Sequence, residues 1–576
     1  MEDAGELNGT RQEMRSTLPY PALEPRPRSR RRWPLDRWSL AALAAAAAVA
    51  LPVLVVFSSL MSPSGTVWAH LAETVLWDYV SNTLRLALGV GIGVTLLGVG
   101  TAWLVTMCQF PGRSVLEWAL LLPLAVPAYI IGYTYTDLLQ FAGPVQTGLR
   151  ELTGWSRDDY WFPEIRSLSG AVVVMSLVLY PYVYLLARAA FLEQCLCLLD
   201  VSRTLGRGPW SSFLEVAVPL ARPAIAGGVA LALMETLADF GTVQYFGVST
   251  FTTGIYRTWF ALGEPTAAAQ LAAVLMLFVL AILVFERWSR RFARYVHTAT
   301  SRPRPSYRLR GGRAALALLA CAAPVVLGFG LPVLVLTGMS LEGGDALLGN
   351  MFLELASNSF VLATLAALIT VGIGVLVAYG LRLRATPLMR GSARVAALGY
   401  AIPGAIIAVG VLIPFARFDN ALDAWMRASF GISTGLLLTG TIAGLLFAYL
   451  VRFLALAFNT VDAGLIKINR NLDDAARVLG QAPSGTLVRV HLPLIWTSVL
   501  TALILVFVDV LKELPATLIL RPFDFETLAV RVYRFASDER LAEASSAALA
   551  IVAVGLLPVM LLSRALTRTA PNSRPD

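Results

Sequence analysis

The chain has 576 residues, 57% of them apolar and 14% charged, with a formal net charge of +9. Soluble domains carry roughly 25% charged residues, so a soluble enzyme or binding module is excluded, and the apolar residues gather into runs near the ~20 residues that cross a bilayer. The positive balance does not imply nucleic acid, because the basic residues flank apolar runs instead of forming a binding module, and only Lys467 and Lys512 among the 46 basic residues are lysine.

Residues 1–37 are polar, rich in Pro and Arg, and close on Arg26-Pro-Arg-Ser-Arg-Arg-Arg32. Such a composition cannot bury a core and is expected to be a disordered basic cytoplasmic arm. The run Ser29-Arg30-Arg31-Arg32-Trp33 loosely resembles a twin-arginine export signal, but the apolar segment from Ser39 to Met61 is long enough to span. An uncleaved first helix is therefore expected. Further spans are expected near 80–107, 115–138, 167–187, 223–246 and 266–286, which completes a first transmembrane unit over 38–286. Residues 287–313 are an arginine-rich linker in which Pro303 and Pro305 oppose a helix. Six more spans follow near 314–338, 358–381, 393–415, 434–457, 495–519 and 543–563, making a second unit over 314–564 with a tail at 565–576. The expected fold is all-α: a polytopic membrane protein of about twelve transmembrane helices in two tandem six-helix repeats.

Arginine sets the orientation. With twelve spans, the arm, the linker, the turn from Arg382 to Arg394, and Arg564 and Arg568 fall on one side, whereas loops 62–79 and 339–357 contain no Lys or Arg. The positive-inside rule then puts both termini in the cytoplasm. Loops 139–166 and 520–542 do carry arginines, but acidic residues accompany them. Cys108, Cys195, Cys197 and Cys321 show no CxxC spacing, and His70, His297 and His491 are scattered, so no stable metal site is expected.

The halves repeat in detail. Asp200-Val-Ser-Arg-Thr-Leu-Gly206 with Pro219 returns as Asp474-Ala-Ala-Arg-Val-Leu-Gly480 with Pro493, 274 residues on. Phe251, Thr253 and Arg257 match Phe525, Thr527 and Arg531 at the same offset, and Ser81-Asn82 and Pro127 match Ser357-Asn358 and Pro403 at 276. Upstream of the motif the second half looks longer, since Arg188 precedes Asp200 by 12 residues and Arg452 precedes Asp474 by 22. An even number of spans per half gives a parallel repeat about an axis along the membrane normal.

The repeated motif has a physical logic. An acidic residue early in a short helix suits the helix dipole, and small residues let another surface approach. Gly206 or Gly480 can take the left-handed conformation that ends a helix, and the proline starts the chain back toward the membrane. The pattern resembles the coupling loop of ATP-binding-cassette importer permeases: Glu-Ala-Ala, three residues, Gly, nine residues, an aliphatic residue, any residue, Leu-Pro. The second copy matches at Ala475, Ala476, Gly480, Val490, Leu492 and Pro493; the first keeps Gly206, Val216 and Pro219 but has Val201-Ser202 for Ala-Ala. Asp replaces Glu in both. The resemblance implies a MetI-like type I importer fold, with Asp200, Ser202, Arg203, Leu205, Gly206 and Pro219, and Asp474, Ala475, Ala476, Arg477, Leu479, Gly480 and Pro493, contacting an ATPase. No Walker A sequence is present, since neither lysine follows a glycine-rich loop. The chain is thus expected to be no enzyme and to bind no cofactor; ATP and Mg would sit on a separate cytoplasmic ATPase homodimer.

Glu235 and Asp239, and at equivalent positions Asp509 and Glu513, are spaced i and i+4 and are expected to share a helix face. Counting ~1.5 Å per residue from Pro223 puts Glu235 about 18 Å and Asp239 about 24 Å into the membrane. Charges there face an aqueous path or are paired, so two readings stay open: contact with a transported cation, or ion pairing with Lys512. Tyr129, Tyr133 and Asp137 lie on one face of the third span, where they would either add oxygen ligands or form an aromatic belt. Gly89, Gly91 and Gly93 are expected to permit close helix packing.

The phrases Glu235-Thr-Leu-Ala-Asp-Phe-Gly-Thr-Val-Gln-Tyr-Phe-Gly247, Phe251-Thr-Thr-Gly-Ile-Tyr-Arg-Thr-Trp259 and Lys512-Glu-Leu-Pro-Ala-Thr-Leu-Ile-Leu-Arg-Pro522 resemble ferric-ion importer permeases of the fused two-repeat type. That resemblance covers nearly all of 38–565. It implies residence in a bacterial inner membrane, iron delivered by a periplasmic or lipid-anchored binding protein, and no nucleic-acid partner. Fused thiamine permeases and unfused sulfate or polyamine permeases share the layout. The alternative of another class, a secondary transporter driven by an ion gradient, would lack the paired loops; a membrane-embedded enzyme has no recurring nucleophile, base or metal cluster to support it.

Overall fold

The structure is a computed structural model that describes residues 37–62, 65–194, 201–202, 204–291, 307–343 and 350–568. The arm before Arg37, most of the linker, the end of the tail, and Asp200, Arg203, Cys195 and Cys197 lie outside the described residues.

The chain is helical almost throughout. The first half contains α1 (Arg37–Ser58), α2 (Leu76–Met107), α3 (Ala128–Leu139), α4 (Leu168–Glu193), α5 (Val218–Ala238), α6 (Gly241–Tyr245) and α7 (Pro265–Arg291). The second contains α8 (Gly312–Val325), α9 (Leu331–Gly343), α10 (Asn350–Leu383), α11 (Gly404–Phe430), α12 (Ile442–Ile466), α13 (Asn471–Val478), α14 (Trp496–Leu511), α15 (Pro515–Leu520) and α16 (Leu541–Arg568). Among the described residues ten helical segments are long and apolar enough to cross a membrane, and two bent pairs raise the number to twelve. The only strands there are two residues each, Cys108–Gln109 pairing with Tyr307–Arg308 beside the linker.

Five expected spans differ in ways the chain explains. The third, expected as one helix over 115–138, is broken: Arg113–Ala125 and Ala128–Thr153 meet at 91°. Val126 is forced into extended geometry (φ −103°, ψ 121°) by the proline after it, and Ile402 before Pro403 does the same (φ −86°, ψ 121°). The fifth span of each half does not run on to 246 or 519; α5 stops at Ala238 and α14 at Leu511, and a short helix follows each break. The span expected over 434–457 begins only at Ile442, because α11 continues to Phe430 and its Asp419 and Asp423 capture the returning chain. Asp419 accepts from the backbone N–H groups of Leu438 and Thr439, and Asp423 from those of Thr434 and Gly435.

The repeat persists in three dimensions, with two corrections. Helices α4 and α12 begin at Leu168 and Ile442, 274 apart, so the second half is not longer there, and the counterpart of Arg452 is Val178, not Arg188. The match of Phe251 with Phe525 is out of register. The N–H of Phe251 donates to Thr83 Oγ1, and it is the N–H of Leu528 that donates to Ser359 Oγ. Three extra residues in the second half, around the protruding Phe523 (96% exposed), account for the shift. The shared Asn has a structural task in both halves: Asn82 Nδ2 donates to Ser249 O at 3.0 Å and Asn358 Nδ2 to Glu526 O at 3.5 Å.

The first helix of each half packs on the other half. Pro52 of α1 lies so close to Gly410 of α11 that a Cβ there would be 2.5 Å from Pro52 O, and Trp38 meets Tyr379 edge-on at 5.0 Å. Reciprocally, the Tyr135 hydroxyl of α3 donates to Leu327 O at 2.8 Å. Small buried residues (Ala42, Ala45, Ala46, Val49) form the contact face of α1, as expected where lipid removes the hydrophobic drive and close packing must hold helices together.

Candidate functional site

The breaks after α5 and α14 organise a cavity of about 130 Å³ between the halves. Asp239 is no longer helical (φ −68°, ψ 134°). Its carboxylate instead caps α6, accepting from Thr242 N at 2.9 Å, Val243 N at 3.2 Å and Thr242 Oγ1 at 2.8 Å. Glu513 does the same for α15, accepting from Ala516 N at 3.0 Å, Thr517 N at 3.1 Å and Thr517 Oγ1 at 2.9 Å. The expected i, i+4 helix face is therefore corrected: Glu235 and Asp509 sit on helices, while Asp239 and Glu513 sit at the breaks, and all four line the one cavity.

Both open readings of these carboxylates find support. Lys512 Nζ is 2.8 Å from Asp509 Oδ1, and Arg452 Nη1 is 3.8 Å from Glu513 Oε1. Four acids against two bases still leave the lining with an excess of negative charge. Among the described residues Glu235 makes no hydrogen bond or ion pair, and no group of three or more His, Cys, Asp or Glu is arranged to hold a metal ion. Tyr129 also lines the cavity, 5% exposed, with its hydroxyl unpartnered there. Tyr133 and Asp137 share its helix but do not line the cavity. Tyr133 is wholly buried, edge-on to Tyr245 at 4.4 Å, which rules out a belt role as well. Arg452, Tyr182 and Tyr400 belong to the lining and were not anticipated. A lone arginine inside an apolar run was the available signal for the first; the tyrosines carried none.

The repeated motifs form two exposed loops of near-identical shape. Gly206 and Gly480 have φ of +80° and +78°. The N–H of Arg207 returns to Ser202 O at 3.1 Å, as that of Gln481 does to Ala476 O at 2.9 Å, closing each helix end. Ser202 and Ala476 are buried at 5% exposure, whereas Leu205 and Leu479 stand out at 75% and 79%. Pro219 and Pro493 each follow a π-helical turn, Phe213–Ala217 and Leu487–His491. Asp474 lies in the first turn of α13 and pairs with Arg477 at 3.3 Å on the surface. Ala475 is exposed beside them. The loops differ in what holds them. Asp473 pairs with Arg382 Nη2 at 2.7 Å and lies 2.9 Å from His491 Nε2, which makes no hydrogen bond among the described residues, while the first loop has a Ser202–Ser212 hydroxyl contact at 2.5 Å and an exposed Arg207–Glu215 pair.

A helical membrane protein in two repeated halves, with a charged cavity between them and a pair of matching exposed loops, is a transport permease. Residues 370–570 match the family described as binding-protein-dependent transport system inner membrane component, and the chain resembles the permease components of ATP-binding-cassette importers. It is 28% identical over 495 residues (84% of this chain, 90% of the relative) to the Fe(3+)-transport system permease protein FbpB 2 of Haemophilus influenzae. It is 23% identical over 463 residues (77% and 64%) to the ferric transport system permease protein FbpB of Actinobacillus pleuropneumoniae. A shorter stretch of 205 residues (34% and 86%) is 29% identical to the molybdenum transport system permease protein ModB of Escherichia coli.

Proposed function

We propose that the cargo is ferric iron and that it crosses through the cavity between α5 and α14. The observation that carries this reading is the convergence of Glu235, Asp239, Asp509 and Glu513 with the Tyr129 hydroxyl on one small space. Hard oxygen donors with an excess of negative charge suit a hard, highly charged cation. A cavity of about 130 Å³ also favours an ion over an organic cation such as thiamine or a polyamine, since sites for drug-sized ligands start at roughly 300 Å³. The ferric permeases among the relatives support the same cargo; the molybdenum permease shows that membership of the fold does not decide it.

In this reading both termini and both exposed loops face the cytoplasm. An ATPase homodimer binding ATP and Mg docks on Leu205, Gly206, Leu479, Gly480 and their neighbours. A binding protein delivers iron to the opposite face, and closure of the ATPase dimer draws the loops together and flips access to the cavity. The test is ATPase activity of the reconstituted complex, stimulated by binding protein loaded with ferric ion, thiamine or a polyamine. Stimulation by the ferric form alone is expected; stimulation by another load in its place overturns the iron assignment, and uptake that survives ATP depletion overturns the importer reading.

A further inference from the structure

The four carboxylates of the cavity obey the repeat, but the two cations do not. At the 274 offset Lys512 answers to Ala238 and Arg452 to Val178, and all four residues line the cavity. The second half supplies both positive charges; the first supplies two carboxylates and no base. The two pairs differ in burial, the Arg452 and Glu513 side chains being only 10% and 2% exposed. Lys512 is 30% exposed, and Arg452 Nε and Nη1, though buried, make no hydrogen bond among the described residues. Glu235 lies within electrostatic reach of both cations without contacting either.

We propose that Lys512 and Arg452 are resident counter-ions, holding Asp509 and Glu513 while the cavity is empty and yielding them to a multivalent cation, and that they thereby set its selectivity. The inference rests on the cation reading above and assigns the halves different tasks. Four carboxylates facing one another at mid-membrane repel, and an empty cavity needs compensation. A tethered ammonium or guanidinium supplies it at a high effective concentration. A monovalent ion in bulk cannot outcompete a tethered charge of its own size, and a divalent ion competes poorly. A trivalent ion gains several-fold more Coulomb energy per carboxylate and first meets the uncompensated Glu235 and Asp239. Displacement exchanges one set of ionic contacts for another and requires no covalent step.

The test uses the purified full chain and terbium(III), a hard trivalent probe whose luminescence is excited through nearby tyrosine, here Tyr129, Tyr182 and Tyr400. Lys512→Met and Arg452→Gln are each expected to bind terbium about tenfold more tightly than wild type and to lose about tenfold in discrimination against magnesium, the direction set by removing one like charge from the site. Lys512→Arg should keep wild-type behaviour. The double variant Asp509→Asn/Lys512→Met removes the pair as a unit, guards against misfolding of the single variant, and should bind within about threefold of wild type. Glu235→Gln should weaken binding. If Lys512→Met and Arg452→Gln bind no tighter while Glu235→Gln binds weaker, the counter-ion proposal falls and the cation pathway stands. If no variant shows terbium luminescence that depends on Glu235, the pathway itself falls.

Discussion

Lys512 and Ala238 occupy the same position in the two repeats and face the same cavity, one as a charge 2.8 Å from Asp509 and the other as a methyl group. The pseudo-twofold relation therefore holds for the backbone breaks and the acids and fails for the bases. The same division recurs at the exposed loops. Their shape is shared down to the left-handed glycines, but among the described residues the second loop is tied to α10 by the buried Asp473–Arg382 pair, whereas the first has an exposed Arg207–Glu215 pair within its own segment. A fused chain frees each half to diverge, and here the divergence falls on the residues that hold charge in place.

The glycines of the loops are the first point of test. A Cβ at Gly206 or Gly480 meets nothing within 4 Å, so the cost of a side chain is conformational: φ near +80° disfavours an L-residue by about 1–2 kcal/mol. Gly206→Val or Gly480→Val should leave insertion and abundance intact while cutting coupled import about 5- to 30-fold, the factor that energy represents. Import per unit of inserted permease checks this. Normal import by both variants would show that the loops do not couple.

Leu205 and Leu479 are unusual in being apolar and more than 70% exposed at the tips of polar loops. Full burial of a leucine is worth about 1.5–3 kcal/mol. On the proposed docking, Leu479→Ala should weaken association with the ATPase about tenfold, Leu205→Ala similarly, and Leu479→Asp should abolish it. The ATPase recovered with the purified permease is the measurement. Retention of the full complement by Leu479→Asp would place the docking surface elsewhere.

How much of this was legible in the sequence follows from what each feature depends on. The spans and the loops follow from local composition and spacing, and the paired loop motifs predicted the geometry at Gly206 and Gly480. The cavity was half legible. Its four acids stood out against apolar runs, but their helical spacing misled, because Asp239 and Glu513 spend their carboxylates on capping the next helix and so end the one before. Tyr133 and Asp137 share a helix face with Tyr129, yet only Tyr129 lines the cavity. Arg452 was seen but matched to Arg188; only the common start of α4 and α12 shows that its counterpart is Val178. The crossing of α1 onto α11 had no sequence signal, since small apolar residues look alike whichever helix they meet.

Gly404 tests the geometry of the cavity without altering its charge. A Cβ there would lie 2.6 Å from Glu513 Oε1 and 2.7 Å from Arg452 Nη1, so the glycine is what lets α11 approach that pair. Gly404→Ala should force the pair apart and destabilise the protein by about 1–3 kcal/mol, lowering the thermal midpoint and depressing transport. Gly391→Ala, whose Cβ meets nothing within 4 Å, is the control. Equal thermal midpoints for the two variants would mean that the Arg452–Glu513 approach does not depend on Gly404.

The anchor of the second loop makes a prediction that separates the halves. Asp473 and Arg382 are largely buried, at 12% and 10% side-chain exposure, and Arg382 also donates to the carbonyls of Leu465 and Ile468. Asp473→Asn keeps the shape but removes the charge facing Arg382 and His491, and breaking a buried pair from one side costs about 3–5 kcal/mol. The counterparts of Arg382 and His491 in the first half are Thr106 and Ala217, which cannot form such an anchor. Asp473→Asn should therefore lower the thermal midpoint and detach the second loop from α10, weakening coupling there while leaving the first loop's contacts unchanged. A double-mutant cycle with Arg382→Gln should be non-additive, since the two side chains share one interaction. Cysteine cross-linking of each loop to the ATPase, from Leu205→Cys and Leu479→Cys, reads the halves apart. Equal loss at both loops, or strict additivity in the cycle, would show that Asp473 acts on the whole fold and not as the anchor of the second loop.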